Sequence, residues 1–345
     1  MSQLLNALIT TRLDHELIPE LRSRHPGVDL VYPEDLLPSA AYPGEHRFPD
    51  ADSSDSAERW NTLLAQADIM FDFGPRRFHS DLWSLPQLKW IQASSAGIGQ
   101  FARRVGLTSK GRVIVTTARG VHGPALAEFA VMALIYFNRD FPGIQEDQRQ
   151  HAWHRRCGRL IAGQTVGIVG MGSVGREVAA ALGSLGAKVT GVVRGTTGRT
   201  AVEFGVAQLL SVADLDSVLP SLDVVVLAVP HTDETEGLLS ASRLARLRQG
   251  AVLVNLARGS VVDQEALAAA LRAGRLGGAA LDVAQVEPIP AESPLWDLPN
   301  VLITPHSMST VKGENRMLME LFSANLSLFA DGRPLPNVLD PERLY

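Results

Sequence analysis

One cysteine, Cys157, in 345 residues excludes an internal disulfide framework and any metal cluster built on cysteine. Charge of one sign is equally scarce. Lys and Arg number 32 against 37 Asp and Glu, for a net charge of −5, and there is no long basic block. A protein that neutralises a phosphate backbone needs such a block, so nucleic acid is not an expected partner. The longest apolar runs, 129–137 and 224–229, fall well short of the ~18 residues of a membrane helix. Arg12 and Asp14 come too early for a secretory apolar core. The expectation is a soluble, cytoplasmic chain with no metal and no membrane partner. A hydrophobic fraction of 46% with 20% charged residues also rules out a largely disordered chain.

What is present is a repeated alternation of short apolar runs and helical stretches. At roughly 150 residues per domain the length suits about two domains. Residues 4–10, 28–32, 68–73 and 89–93 read as strands. Residues 14–24 read as a helix with Leu17, Ile18 and Leu21 on one side. Residues 33–56, rich in Pro, Asp and Ser, read as loop. A second series starts near Gly111, with strands at 113–117, 165–169, 188–193, 223–229, 251–256, 278–283 and 301–304, and helices at 173–185 and 264–273. Strands separated by helices imply parallel sheets covered on both faces. The tail 312–331 reads as an amphipathic helix with Met317, Leu318, Leu321 and Leu328 on its apolar side.

The strongest local signal is Gly170-Met171-Gly172-Ser173-Val174-Gly175. It follows an apolar strand and opens a helix, where Val174, Val178 and Leu182 keep four-residue spacing. That context marks a dinucleotide-binding turn. Gly170 permits the tight turn, Gly172 lets backbone approach a pyrophosphate, and Gly175 lets the helix pack on the strand. The helix N-terminus offers N–H groups and a positive dipole end to phosphate. The next strand normally ends in an acid that holds the ribose 2′-hydroxyl of NAD. Here it ends Val193-Arg194-Gly195-Thr196-Thr197-Gly198-Arg199. A guanidinium at that point suits a 2′-phosphate, so NADP(H) is expected as the preferred cofactor and NAD(H) as the secondary one.

Ligands of open α/β sheets sit beyond the C-terminal ends of the strands. Arg258, Glu287 and His306 all follow such ends. Singly, they read as a helix-start surface residue, a solvated loop acid and a hydrogen-bonded structural histidine. Together they suit a 2-keto acid. A guanidinium can hold the carboxylate and polarise the carbonyl. An imidazole can protonate the alkoxide that hydride transfer creates. A carboxylate beside the imidazole stabilises its protonated form.

These motifs, with Asn255-Leu-Ala257-Arg258-Gly259, Leu281-Asp282-Val283, Pro305-His306, Ser94-Ser-Ala96-Gly97 and Ala127-Glu-Phe-Ala130, resemble the D-isomer-specific 2-hydroxyacid dehydrogenase family, and glyoxylate/hydroxypyruvate reductases in particular. The resemblance implies a Rossmann doubly wound parallel-sheet α/β cofactor domain over 111–311. It implies a smaller, discontinuous flavodoxin-like substrate domain over 1–110 and 312–345. It assigns Arg258 to substrate binding, Glu287 as partner of His306, and His306 as acid/base beside the cofactor. It places backbone N–H groups at Ala96 and Gly97 on the substrate carboxylate, with Phe73 and Gly74 bordering the pocket. Asp282 would contact the nicotinamide carboxamide, and Pro230, Thr232, Thr196 and Ala257 would lie along the cofactor. The helix near 122–138 would help build a homodimer. Two departures stand out: Arg194 in place of the usual acid, and Met308 close after His306, where a small residue is usual. Expected substrates are small 2-keto acids such as glyoxylate or hydroxypyruvate. The alternatives are a dinucleotide-sensing corepressor-like protein, or a formate- or phosphite-dehydrogenase type on the same scaffold.

Overall fold

The computed structural model describes residues 4–345 except 47, 50, 52, 108–110 and 344. The chain divides into two compact units, Met1–His122 with Thr310–Tyr345, and Gly123–Ser309. No helix among the described residues is long and apolar enough to cross a membrane.

The first unit runs β1 Leu5–Ile9, α1 Leu17–Arg24, β2 Val28–Val31, α2 Ser54–Gln66, β3 Ile69–Phe71, β4 Trp90–Gln92, α3 Gly99–Arg104 and β5 Ile114–Thr116, and is completed by the C-terminal helix Glu314–Ala330. Its sheet has the order β2-β1-β3-β4-β5, every pair parallel. That is the flavodoxin-like order, with its topological switch point between β1 and β3. The strands are short and apolar because both faces are covered: β3 and β4 are fully buried. The C-terminal helix packs Phe322 against Phe71 and Trp90, with ring centroids 5.1 and 5.5 Å apart. Fully burying such a side chain stabilises by roughly 1.5–3 kcal/mol. A buried polar chain crosses the same region. Trp90 Nε1 donates to Thr116 Oγ1, which donates to Gln92 Oε1, and Asn325 Nδ2 donates to the same oxygen, each at 2.8 Å.

The second unit runs α4 Gly123–Asn138, α5 Phe141–Arg149, β6 Thr165–Val169, α6 Ser173–Ser184, β7 Lys188–Val193, β8 Gln208–Ser211, α7 Leu215–Val218, β9 Val224–Leu227, α8 Ala241–Arg246, β10 Val252–Asn255, α9 Gln264–Arg272, β11 Gly278–Leu281 and β12 Val301–Ile303. Its seven strands are ordered β12-β11-β10-β9-β6-β7-β8 and all pair in parallel. Numbered within the unit, the chain winds outward in one direction from β6 through β7 to β8, then in the other from β9 to β12. That is the Rossmann arrangement, with its switch point between β6 and β9. One apolar cluster on each side of the sheet closes the core.

The expectations need four corrections. Strand 113–117 does not open the second series: as β5 it joins the first sheet beside β4. The first unit therefore extends to His122, past an expected boundary at Lys110 that falls outside the described residues. β8 was missed; it is an edge strand, short and mostly half-buried, so it lacks an apolar run. The segment 33–56 is not wholly loop, since it holds a 3₁₀ turn at Glu34–Leu36 and the start of α2. Its Arg47, Asp50 and Asp52 lie outside the described residues. Finally, the C-terminal helix buries Leu318, Met319, Phe322 and Leu326, while Met317 is exposed. The buried face includes Asn315, Ser323 and Asn325, polar residues that disguised it.

Candidate active site

The glycine loop joins β6 to α6. Gly170 has φ +100°, and an added Cβ would lie 2.5 Å from the Ala228 carbonyl oxygen at the end of β9. A Cβ on Gly175 would lie 1.9 Å from the Gly170 carbonyl oxygen, so only glycine lets α6 start this close to its own turn. Gly172 is the N-cap of α6 and supplies no side-chain cap. A Cβ built on it meets nothing within 4 Å. The N-cap side of α6 thus has room beside Gly172 and no side chain capping its first turn, an arrangement that fits a pyrophosphate. Met171 turns inward, 6% exposed, beneath β7. Ser173 and Val174 are half-buried at the first turn.

At the end of β7, Arg194 is exposed and pairs with Glu234 at 3.2 Å. The end of β7 itself carries no carboxylate; the fold brings one from the loop after β9. Exposed pairs of this kind contribute ~0–1 kcal/mol, so a phosphate could compete with the carboxylate for Arg194. Thr196 is half-buried and Pro230 exposed. Thr232 is buried in a turn where Thr235 Oγ1 donates to the Pro230 carbonyl and accepts from the Thr232 N–H.

Beyond β10, β11 and β12 the three candidate catalytic groups come together. His306 Nδ1 lies 2.8 Å from Glu287 Oε2. Burial alone would raise the Glu287 carboxyl. The hydrogen bonds from His306 and the Ala284 N–H, with the charges of His306 and Arg258, hold it below its usual range instead. Arg258 is the reciprocal case. Burial works against its charge, and Glu287 and Asp282 favour it. The Arg258 carbonyl accepts from Asn255 Nδ2 at 3.1 Å, and its Nη1 donates to the Ala257 carbonyl at 2.7 Å. Ala257 is itself buried, its N–H bonded to Asn255 Oδ1 at 3.0 Å. A Cβ on Gly259 would lie 1.8 Å from the Ala284 carbonyl carbon, so this glycine lets the Arg258 turn meet the Glu287 loop.

Asp282 has a structural task that the sequence reading missed. Its Oδ1 accepts from Thr304 Oγ1 at 2.8 Å, the Ser307 N–H at 3.0 Å and the Met308 N–H at 3.2 Å. These bonds hold the turn in which His306 takes a left-handed φ of 52°. Burial outweighs them and raises the Asp282 carboxyl. Met308 packs against the core of its own unit.

In the first unit Ala96 is half-buried and Gly97 exposed, in the loop after β4. Phe73 does not offer its side chain as a pocket wall. It is 1% exposed and packs edge-on against Phe101, centroids 4.8 Å apart. Gly74 is buried too, its N–H bonded to Thr10 Oγ1 at 3.0 Å. Both residues support the loop from within. No group of three or more His, Cys, Asp or Glu that could hold a metal occurs among the described residues.

A Rossmann unit with an open glycine loop and an Arg, Glu and His at its strand tips defines a dinucleotide-binding protein equipped for proton-coupled chemistry. The profile described as "D-isomer specific 2-hydroxyacid dehydrogenase, NAD binding domain" matches residues 131–307. The chain belongs to the D-isomer specific 2-hydroxyacid dehydrogenase family. Among its relatives is the glyoxylate reductase of Thermofilum pendens, 33% identical over 75% of this chain and 77% of that protein. Another is the D-3-phosphoglycerate dehydrogenase of Archaeoglobus fulgidus, 30% identical over 71% of this chain. The chain spans 46% of that longer relative. Among solved structures, a family member from Xanthobacter autotrophicus Py2 in complex with NADPH and MES superposes with a TM-score of 0.79 at 29% identity, covering 99% of this chain and 100% of that one. The NADPH-dependent glyoxylate/hydroxypyruvate reductase of Sinorhizobium meliloti, in complex with NADP and sulfate, gives a TM-score of 0.79 at 25% identity with the same coverage.

Proposed function

We propose that this protein is an NADPH-preferring reductase of small 2-keto acids, yielding D-2-hydroxy acids, with glyoxylate and hydroxypyruvate as the leading substrates. The observation that carries the reading is the 2.8 Å His306–Glu287 contact with Arg258 close enough to favour the Glu287 charge. The second unit is read as the cofactor domain and the first as the substrate domain. The N–H groups of the Gly170–Gly175 turn would hold the pyrophosphate, and Arg194 with Thr196 the 2′-phosphate. Pro230, Thr232 and Ala257 would line the cofactor, and Asp282 would meet the carboxamide. The bound nicotinamide supplies the hydride.

Every other part of the chemistry falls to the chain. Arg258 holds the keto-acid carboxylate and polarises the carbonyl, where negative charge develops as the hydride arrives. In the first unit, the backbone N–H groups at Ala96 and Gly97 are read as donors to a substrate carboxylate. His306, protonated, gives its proton to the nascent alkoxide oxygen and is left neutral. Glu287 orients the ring through Nδ1, so that Nε2 is the nitrogen that faces substrate. In the reverse direction neutral His306 takes the hydroxyl proton.

The NADP and glyoxylate/hydroxypyruvate reductase relatives support the cofactor and substrate class. A homodimer in the cytoplasm belongs to the same reading. The dimer is supported by an open apolar groove of about 630 Å³ whose walls include Ala127, Val131, Ile135 and Phe141. The test is loss of reduced-nicotinamide absorbance across a keto-acid panel run with NADPH and with NADH. Cofactor binding without turnover on any member would overturn the reading in favour of a dinucleotide sensor.

A further inference from the structure

The first sheet carries one charged group at its switch point that the proposed chemistry leaves unused. Asp72 follows β3 directly, beside the β1–β3 crevice where ligands of such sheets bind. It is 5% exposed and adopts a left-handed φ of 68°, a costly conformation for a residue with a Cβ. Its N–H donates to the Gln92 carbonyl at 2.8 Å. Its Oδ2 accepts from Ser94 Oγ at 2.8 Å, and the N–H groups of Phe73 and Ser94 also favour its charged form. The carboxylate thus ties the loop after β3 to the loop after β4, two residues before Ala96. On the other side, the Ser95 carbonyl accepts from the Ala118 N–H at 3.2 Å.

From this geometry we infer that Asp72 is a positioning residue for substrate: it clamps the Ser94–Gly97 loop so that the backbone N–H groups at Ala96 and Gly97 meet the keto-acid carboxylate. The inference rests on the reading of that loop as the carboxylate site. Asp72 does not touch substrate; it acts through Ser94.

The clamp is sensitive to pH. Burial pushes the Asp72 carboxyl up to about 6, against the hydrogen bonds that favour its charge. Among the described residues the groups acting on it are the Ser94 hydroxyl and the Phe73 and Ser94 N–H groups. Within its loop, His79 bonds the Gly74 carbonyl at 3.1 Å, and burial lowers its pKa. Arg76 lies over the Phe48 ring, and Arg77 donates to the Ala51 carbonyl. Below its pKa the carboxyl gains a proton, loses accepting capacity and loosens its hold on the loop.

The experiment compares wild type, Asp72→Asn and Ser94→Ala in steady-state keto-acid reduction across pH, with NADPH affinity and thermal midpoint measured alongside. Asp72→Asn should raise KM about tenfold, the scale of one lost charge-assisted hydrogen bond, with kcat within about twofold and NADPH affinity unchanged. Wild-type KM should rise as pH falls through about 6, and in Asp72→Asn that inflection should vanish. Ser94→Ala should raise KM less and move the inflection to higher pH, because a bond that favours the charged carboxylate is lost while that of the Ser94 N–H remains, and it decides the matter if Asp72→Asn fails to fold. Wild-type turnover with unchanged KM and pH profile in the folded variants would overturn the role of Asp72 and leave the proposed function standing. Absence of turnover in wild type on every keto acid would overturn both.

Discussion

Glu287 and Asp72 are both carboxylates just beyond parallel strands of doubly wound sheets, yet their proton affinities move in opposite directions. Glu287 sits below its usual range because His306 and Arg258 face it. Asp72 is pushed up to about 6 because burial meets only neutral hydrogen-bond donors. Strand-tip position alone therefore does not assign a role to an acid; the sign of its neighbours does. The second unit gathers groups that favour one another's charge, Arg258, Glu287 and His306. The first holds a buried carboxylate, Asp72, that shapes backbone.

The comparison can be broken most directly at His306. His306→Ala should lower kcat by at least the ~10²-fold that general acid catalysis typically provides, and stopped-flow single turnovers locate the loss in the chemical step. Near-normal turnover would remove the proton donor from the second unit. Arg258→Ala should cut kcat/KM by on the order of 10²-fold, the scale of removing one electrostatic donor at developing negative charge, with both parameters affected. Glu287→Gln should lower kcat/KM by less than His306→Ala does, because a neutral amide holds the ring through Nδ1 less firmly than a carboxylate. The lowered Glu287 pKa means that its support for His306 is complete at neutral pH. That support is lost only as pH falls through the depressed value, which a kcat/KM profile of wild type checks.

Two smaller effects sharpen the contrast. Arg194→Asp should erode the NADPH-over-NADH ratio of kcat/KM about tenfold, and an unchanged ratio would assign the 2′-phosphate elsewhere. Asp72 should also tilt stability. Its folded pKa exceeds the unfolded one, so the folded state binds more protons between the two values, and stability falls as pH rises through that window. A shift of this size corresponds to on the order of 2–3 kcal/mol between about pH 4 and pH 7. Denaturant titrations of wild type and Asp72→Asn at both pH values should show the stability difference between them change by about that amount, since every other titrating group is common to both.

Much of the architecture was legible because parallel strands buried on both faces are short unbroken apolar runs, as β9 and β10 are. The glycine loop was legible because Gly170 and Gly175 answer local backbone demands that the chain states within six residues. Arg258, Glu287 and His306 were legible as strand-end residues, and the structure brings them together. Pairings between distant segments were not. Nothing local distinguishes the sheet that β5 joins, or brings Glu234 to Arg194, or turns Phe73 inward. The three acceptor bonds of Asp282 were not legible either, because they go to a turn some 25 residues further on.

The interrupted course of the first unit bears on the order in which a ribosome delivers a finished molecule. Everything needed for the second unit has been made once Ser309 emerges. Phe322 and Leu326, which close the core over Phe71 and Trp90, emerge later. Nascent chains should therefore carry a completed second unit while the first waits with aromatic surface uncovered, the interval in which a growing chain most needs a chaperone.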